Sequence, residues 1–268
     1  MESYSLEGLV FECVIVELAK NVMTITLNRP EKKNSISPTL GKELAYAIRA
    51  AGQDSEVRVV VLAAKGDIFC AGGDLGAMRD GAPKSTSTVP EINDGKELSM
   101  LLRDICKPVI VKAQGPVLAG GLLMTCNATH VVAADHIYFS APEIKRALWP
   151  FMVMAGLFRV MPRRQGLDFA MRGFRVDAQK ALELGLATDV VPADQLDQKV
   201  DELAAEIASY SPATIKLGLE AFYHQESMEF DDAIPYLKSM LEKTKQTEDV
   251  KEGITAFFEK REPVWKGC

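Results

Sequence analysis

The sequence predicts an α/β fold whose last third is helical. Three observations lead there: β-rich runs alternate with helix-forming segments before Pro150, helical segments dominate after it, and a buried strand followed by a glycine pair occurs twice. With 268 residues, 47% hydrophobic and 25% charged, the chain can bury a large core without disulfide staples. That composition sets aside collagen-like, disordered and disulfide-framework classes.

The elements follow in order. Leu9 to Leu18 and Val22 to Leu27 are β-rich runs separated by Lys20-Asn21, a hairpin signature. Ser37-Pro38 opens a helix: serine accepts from a free first-turn amide, proline suits the first helical position, and Leu40, Leu44 and Ile48 recur on one face. Val57 to Ala63 reads as a buried strand. From Gly76 to Asp94 the chain turns to Gly, Pro, Ser, Thr and charge, the composition of a mobile surface loop. Pro108 to Ala113, His130 to Ala134 and Ile137 to Phe139 are further strands. Asp177 starts a helix that Gly185 stops, and Thr188 to Val191 is a short strand. Ala193 to Tyr210, Pro212 to Tyr223, Phe230 to Lys245 and Glu248 to Lys260 are helices, so residues 1–195 read as the core and 196–268 as a C-terminal helical region.

Charge and cysteine usage restrict function. With 31 Lys+Arg against 37 Asp+Glu, the net charge of −6 gives no broad basic field, and no nucleic-acid partner is expected. Cys13, Cys70, Cys106, Cys126 and Cys268 are odd in number and spread out, which indicates a reducing compartment rather than a disulfide framework or a zinc site. His130, His136 and His224 lack the spacing of a metal site, so no metal is expected. Met1 to Leu9 carries no secretory or transit pattern, and the apolar run Ala147 to Phe158 is too short to cross a bilayer; a cytoplasmic protein without membrane association is the expectation.

An internal echo carries the functional argument. Val59 to Gly66 is followed by Ala71-Gly72-Gly73, and Val109 to Gly115 by Ala119-Gly120-Gly121. Each unit is a strand, a turn and a glycine pair where the chain can enter a helix, leaving backbone amides free with no side chain in the way. Two such amides converging on one point would hold an oxygen that gains negative charge. Glycine pairs serve equally well for close packing or tight turns, and the residues by themselves leave both readings open.

The segments Asn28-Arg29-Pro30-Glu31-Lys32-Lys33-Asn34, Phe69-Cys70-Ala71-Gly72-Gly73-Asp74-Leu75, Gly115-Pro116-Val117-Leu118-Ala119-Gly120-Gly121, Ala141-Pro142-Glu143-Ile144 and Phe258-Glu259-Lys260-Arg261 resemble, in order and spacing, those of the crotonase (enoyl-CoA hydratase/isomerase) superfamily. The resemblance covers essentially the whole chain. It implies a crotonase-like spiral of ββα turns with a C-terminal helical trimerisation region, assembled as a homotrimer or a dimer of trimers. The implied partner is an acyl-CoA thioester, with coenzyme A part of the substrate and no separate cofactor.

The same resemblance implies roles for individual residues. Gly73 and Gly120 match the oxyanion-hole positions, and Lys32, Lys33, Ser35 and Ala71 match the coenzyme A contacts. Lys260 matches a lysine that approaches the nucleotide, often across a subunit contact. Asp74 follows the first glycine pair and is expected to accept backbone hydrogen bonds at the turn.

Two departures from the family pattern bear on the chemistry. Hydratases of the family use two glutamates; here Glu143 matches one, and the other position is Leu123. A single buried carboxylate can still move a proton between C2 and C4 of a 3-enoyl thioester, so isomerisation is slightly favoured over hydration by one glutamate. The second departure is Trp149-Pro150-Phe151-Met152-Val153-Met154, where many members have a glycine-rich turn. Leu123, Trp149 and Phe151 are therefore expected to wall the acyl pocket, although core packing at a helix start explains the last two equally well. An acyl-CoA-binding protein without catalysis is the alternative outside enzymes.

Overall fold

The apolar runs are buried in two sheets wound by one spiral. The computed structural model describes residues 4–82, 84–92 and 94–268. The chain enters through an antiparallel hairpin, β1 (Val14–Ala19) and β2 (Val22–Leu27), turned by Lys20 and Asn21 at φ 50° and 64°. Both turn residues occupy the left-handed region, as a two-residue turn that follows the strand twist requires. β1 starts later than the run from Leu9 implies. The amides of Glu12 and Cys13 donate at 2.8 and 2.7 Å to the carboxylate of Glu43 rather than to a neighbouring strand.

Glu43 sits on α1 (Pro38–Gln53), whose buried face also includes Leu40, Leu44, Ala47, Ile48 and Ala51. The helix opens as its sequence indicates, with Ser37 Oγ accepting from the Leu40 amide at 3.2 Å. β3 (Val59–Ala64) is buried throughout because parallel neighbours flank it on both sides, which explains its unbroken apolar sequence.

The Gly76 to Asp94 stretch is not all loop. α2 (Leu75–Asp80) takes its beginning, started by Asp74, whose Oδ1 accepts from the Ala77 amide at 3.0 Å. Beyond it the chain is tethered: the Glu12 carboxylate accepts from Ser85 Oγ and the Thr86 amide, each at 2.8 Å, and Thr88 Oγ1 accepts from the Val10 amide at 2.8 Å. Pro83 and Asn93 of this stretch lie outside the described residues. α3 (Leu98–Asp104), which the sequence reading does not assign, buries Leu101 and Leu102 against the core.

The spiral continues through β4 (Val109–Ala113), β5 (Val117–Leu118), α4 (Gly121–Thr125), β6 (His130–Ala134) and β7 (Tyr138–Ser140). After these come α5 (Phe151–Val160), α6 (Arg163–Arg172), β8 (Val176–Asp177), α7 (Ala178–Glu183) and β9 (Asp189–Val191). The last helices are α8 (Leu196–Ala208), α9 (Pro212–Gln225), α10 (Phe230–Lys245) and α11 (Glu248–Glu259). One six-stranded sheet has the order β1-β2-β3-β4-β6-β9 and a three-stranded sheet the order β5-β7-β8. Successive turns of the chain place one strand in each sheet, as β4 then β5 and β6 then β7. Single-residue pairings, Ile36 with Gly73 and Cys70 with Val117, carry the second ladder back towards the first turn.

α8 packs on β2, β3, β4 and β6, whereas α9, α10 and α11 contact one another. These three helices leave Phe222, Phe230, Phe257 and Phe258 more than half exposed.

The fully buried Glu43 carboxylate satisfies two amides that have no other acceptor within the core edge. Replacing it by leucine strands both donors, so Glu43→Leu is expected to lower the unfolding free energy by about 3 kcal/mol, measured by urea denaturation.

Candidate active site

Two backbone turns meet at the mouth of the core. The first follows β3: Ala71 donates its amide to the Lys33 carbonyl at 3.0 Å, Gly72 takes φ 93°, and the Gly72 carbonyl accepts from the Ile36 amide at 2.7 Å. The second follows β5: Leu118 donates to the Cys70 carbonyl at 2.9 Å, and Ala119, at φ 48°, donates to the Ser140 carbonyl at 3.0 Å. The turns are thus tied to each other and to the small sheet. They touch: a Cβ built on Gly72 would lie 2.5 Å from the Ala119 Cβ and 3.0 Å from the Gly120 nitrogen, and one built on Gly120 would lie 3.4 Å from the Gly73 nitrogen.

The amides of Gly73 and Gly120 have no hydrogen-bond acceptor among the described residues. The structural equivalence differs from the sequence echo by one residue. The left-handed positions are Gly72 and Ala119, and the free amides follow at Gly73 and Gly120, so the glycine pairs Gly72-Gly73 and Gly120-Gly121 align out of step. Gly121 has a different task, since a Cβ there would lie 3.0 Å from both the Cβ and the carbonyl oxygen of Cys70.

Arg29 and Asn34 brace the first turn. Arg29 Nη1 pairs with Asp74 Oδ2 at 2.6 Å and donates to the Ser35 carbonyl at 3.0 Å. Asn34 is fully buried, accepts from the Arg29 amide and donates to the carbonyls of Lys65 and Ile68. Asp74 works locally, as expected. The Ala77 amide and then the Arg29 guanidinium hold its carboxyl below the usual aspartate value.

A cleft of about 630 Å³ opens at these turns, lined by Lys33, Ser35, Ala71, Gly73, Gly120, Leu123, Glu143, Trp149 and Phe151 among others. The structure therefore brings together most of the residues singled out in the sequence. Lys32 and Lys260 do not line it; Lys260 is the exposed left-handed residue that ends α11. Of the Leu122-Leu123-Met124 triplet, the outer two are fully buried and Leu123 alone lines the cleft. Phe151 and Met152 stay largely exposed along it, while Val153 and Leu157 of the same helix fill the core. Val153 does both, buried in the core and lining the cleft, so pocket wall and core packing meet on α5.

Glu143 stands on the 3₁₀ turn Pro142–Arg146 that continues from β7. Its Oε2 is buried and has no hydrogen-bond partner among the described residues. Burial pushes its pKa up, opposed in part by its own amide and by the Arg146 charge. Burial thus extends the protonated form of this carboxyl to higher pH than in an exposed glutamate. Sequence reading missed Leu75, Met78, Leu118, Arg146 and Leu148 as lining residues. Arg146 had a visible signal: three positions after Glu143 on a 3₁₀ turn, side chains eclipse.

The family model described as enoyl-CoA hydratase/isomerase matches residues 17–268. The chain belongs to the enoyl-CoA hydratase/isomerase family. Among curated proteins, it is 29% identical over 244 residues to the enoyl-CoA hydratase domain-containing protein 3, mitochondrial, of Rattus norvegicus, covering 91% of this chain and 81% of that protein. It is also 29% identical over 259 residues to the 2,3-dehydroadipyl-CoA hydratase of Escherichia coli (strain K12), covering 95% and 98% respectively. Among solved structures, an enoyl-CoA hydratase/isomerase from Mycobacterium paratuberculosis superposes with a TM-score of 0.87 at 29% identity, covering 97% of this chain and 100% of that one. The crotonase fold expected from the sequence is therefore the fold of this family member. Among the described residues no helix is long and apolar enough to cross a membrane.

Gly72 is required twice over, by its φ and by the Ala119 methyl against it. Gly72→Ala is expected to destabilise the protein by about 3 kcal/mol or to part the two turns, seen as a fall in the thermal midpoint.

Proposed function

We propose that the protein is an acyl-CoA enzyme that shifts the double bond of an enoyl-CoA, with Glu143 as acid and base and the Gly73 and Gly120 amides as oxyanion donors. One observation carries the reading: two acceptor-free amides and an unpartnered carboxylate oxygen face the same apolar cleft. The thioester carbonyl would sit between the amides, with the coenzyme A phosphates towards Lys33 and Ser35. Glu143 takes a proton from C2, the electron pair delocalises onto the thioester oxygen as a dienolate, and the same carboxyl returns the proton at C4. Each amide contributes about 2.7 to 4 kcal/mol in comparable sites, because charge grows on the oxygen only as the proton leaves.

Leu123 supports isomerisation over hydration. Standing at the cleft where a second carboxylate would orient water, its side chain offers neither donor nor acceptor. Hydration by Glu143 alone is the second reading, favoured by the relatives named as hydratases. The exposed phenylalanines of α9, α10 and α11 support assembly into a trimer or a dimer of trimers, with Lys260 reaching a neighbour's nucleotide. Five free cysteines agree with a cytoplasmic setting.

Glu143→Gln should lower kcat/KM for a 3-enoyl-CoA by about 10²- to 10⁴-fold while the thioester still binds. In the native protein the base form accumulates as pH rises, so the acidic limb of the rate profile should lie above the ordinary glutamate range. The stability sign runs the other way. A raised carboxyl pKa gives a contribution that is full below the unfolded value and lost as pH rises through the folded value, so the glutamine variant should match or exceed native stability at neutral pH. Leu123→Glu supplies the absent carboxylate and should raise the ratio of hydration to isomerisation by about tenfold, read from product ratios with 2-enoyl and 3-enoyl thioesters.

A further inference from the structure

The three-stranded sheet carries a second hollow of about 320 Å³ beside the cleft. Leu118, Tyr138 and Ser140 form part of its lining, with Leu118 and Ser140 paired across β5 and β7. Strand alternation puts Tyr138 and Ser140 on one face of β7 and sends Phe139, fully buried, to the other. Its other lining residues are Pro142, Lys145, Arg146 and Arg175. Leu118, Pro142 and Arg146 also line the cleft, so the two spaces share a wall.

No counter-charge lines this hollow. The side chains of Lys145, Arg146 and Arg175 form no ion pair or hydrogen bond with another described residue, and no carboxylate lines the hollow; Glu143, which feels the Arg146 charge, lines the cleft next door. Arg29, Arg49, Arg103 and Arg159, by contrast, are all paired. Arg175 is held by the Tyr138 ring, with its guanidinium carbon 4.3 Å from the ring centroid. A concave surface lined by three cations and no carboxylate favours an anionic guest. Guanidinium forks suit a carboxylate in particular.

Position narrows the choice of anion. Glu143 and Arg146 lie at i and i+3 of one 3₁₀ turn, eclipsed and about 6 Å apart along its axis. An acyl chain whose reacting carbons face Glu143 would reach Arg146 a few carbons further on. Coenzyme A phosphates belong to the Lys33 and Ser35 side of the cleft in the reading above.

We propose that this hollow seats a carboxylate at the far end of the acyl chain, so that the preferred substrates are coenzyme A monothioesters of dicarboxylic acids. The inference rests on the acyl-CoA reading of the cleft and adds the substrate class. Arg146 and Lys145 meet the carboxylate at the edge of the cleft, and Arg175 closes the hollow behind it.

Calorimetric titration of the full chain with the unreactive pair hexanoyl-CoA and adipyl-CoA tests this without turnover. The native protein should bind adipyl-CoA about tenfold or more tightly than hexanoyl-CoA. Arg175→Met and, independently, the exposed Lys145→Met should each bring that ratio towards one. Equal native affinities would overturn the carboxylate seat and leave the acyl-CoA reading standing, whereas failure of both thioesters to bind would remove that reading as well. A preference that survives both substitutions, or an equal loss for both ligands, which would assign the hollow to coenzyme A phosphates, also overturns the inference.

Discussion

The site depends on a backbone contact: two turns from successive coils of the spiral approach so closely that only a hydrogen atom fits on Gly72 between them. Side chains contribute by holding that approach in place. Arg29 and Asn34 fix the first turn from the loop after the hairpin, and the carbonyls of Cys70, next to that turn, and of Ser140, at the end of β7, fix the second. Free amides are costly in an apolar setting unless something accepts from them. The Gly73 and Gly120 amides stay free because the close approach of the turns leaves no acceptor opposite them among the described residues.

The cleft combines this polar point with apolar walls, and the contrast sets the chemistry. Leu118, Leu123, Trp149 and Pro150 reduce the solvation of Glu143, which raises its pKa, while Arg146 limits the rise. A carboxyl fully paired with a cation would stay ionised and be a weak proton donor; one fully isolated would stay protonated and be a poor base. At Glu143 burial raises the pKa and the Arg146 charge opposes that rise, while Oε2 is left without a partner among the described residues.

Much of this was legible in the residues. Periodicity and the Ser37-Pro38 start gave α1, continuous apolarity gave β3, and the cap at Asp177 gave α7, because each follows from local chemistry that tertiary packing reinforces. The start of β1 was not legible, since it is set by Glu43 from a distant helix. α3 was hidden in a short segment whose burial only packing reveals. At the site, the glycine echo pointed to the right turns but aligned the wrong residues. Sequence similarity counts glycines, whereas the geometry counts left-handed residues, and an alanine holds that conformation in the second turn.

That alanine makes the two turns mechanically unlike. Gly72 adopts its φ at no steric cost, while Ala119 at φ 48° carries strain of about 1 kcal/mol or more, restrained by the hydrogen bond to Ser140. One jaw is relaxed and the other is a loaded spring latched to the small sheet. Slackening of that sheet would release the Gly120 jaw first, so the two turns should differ in stiffness.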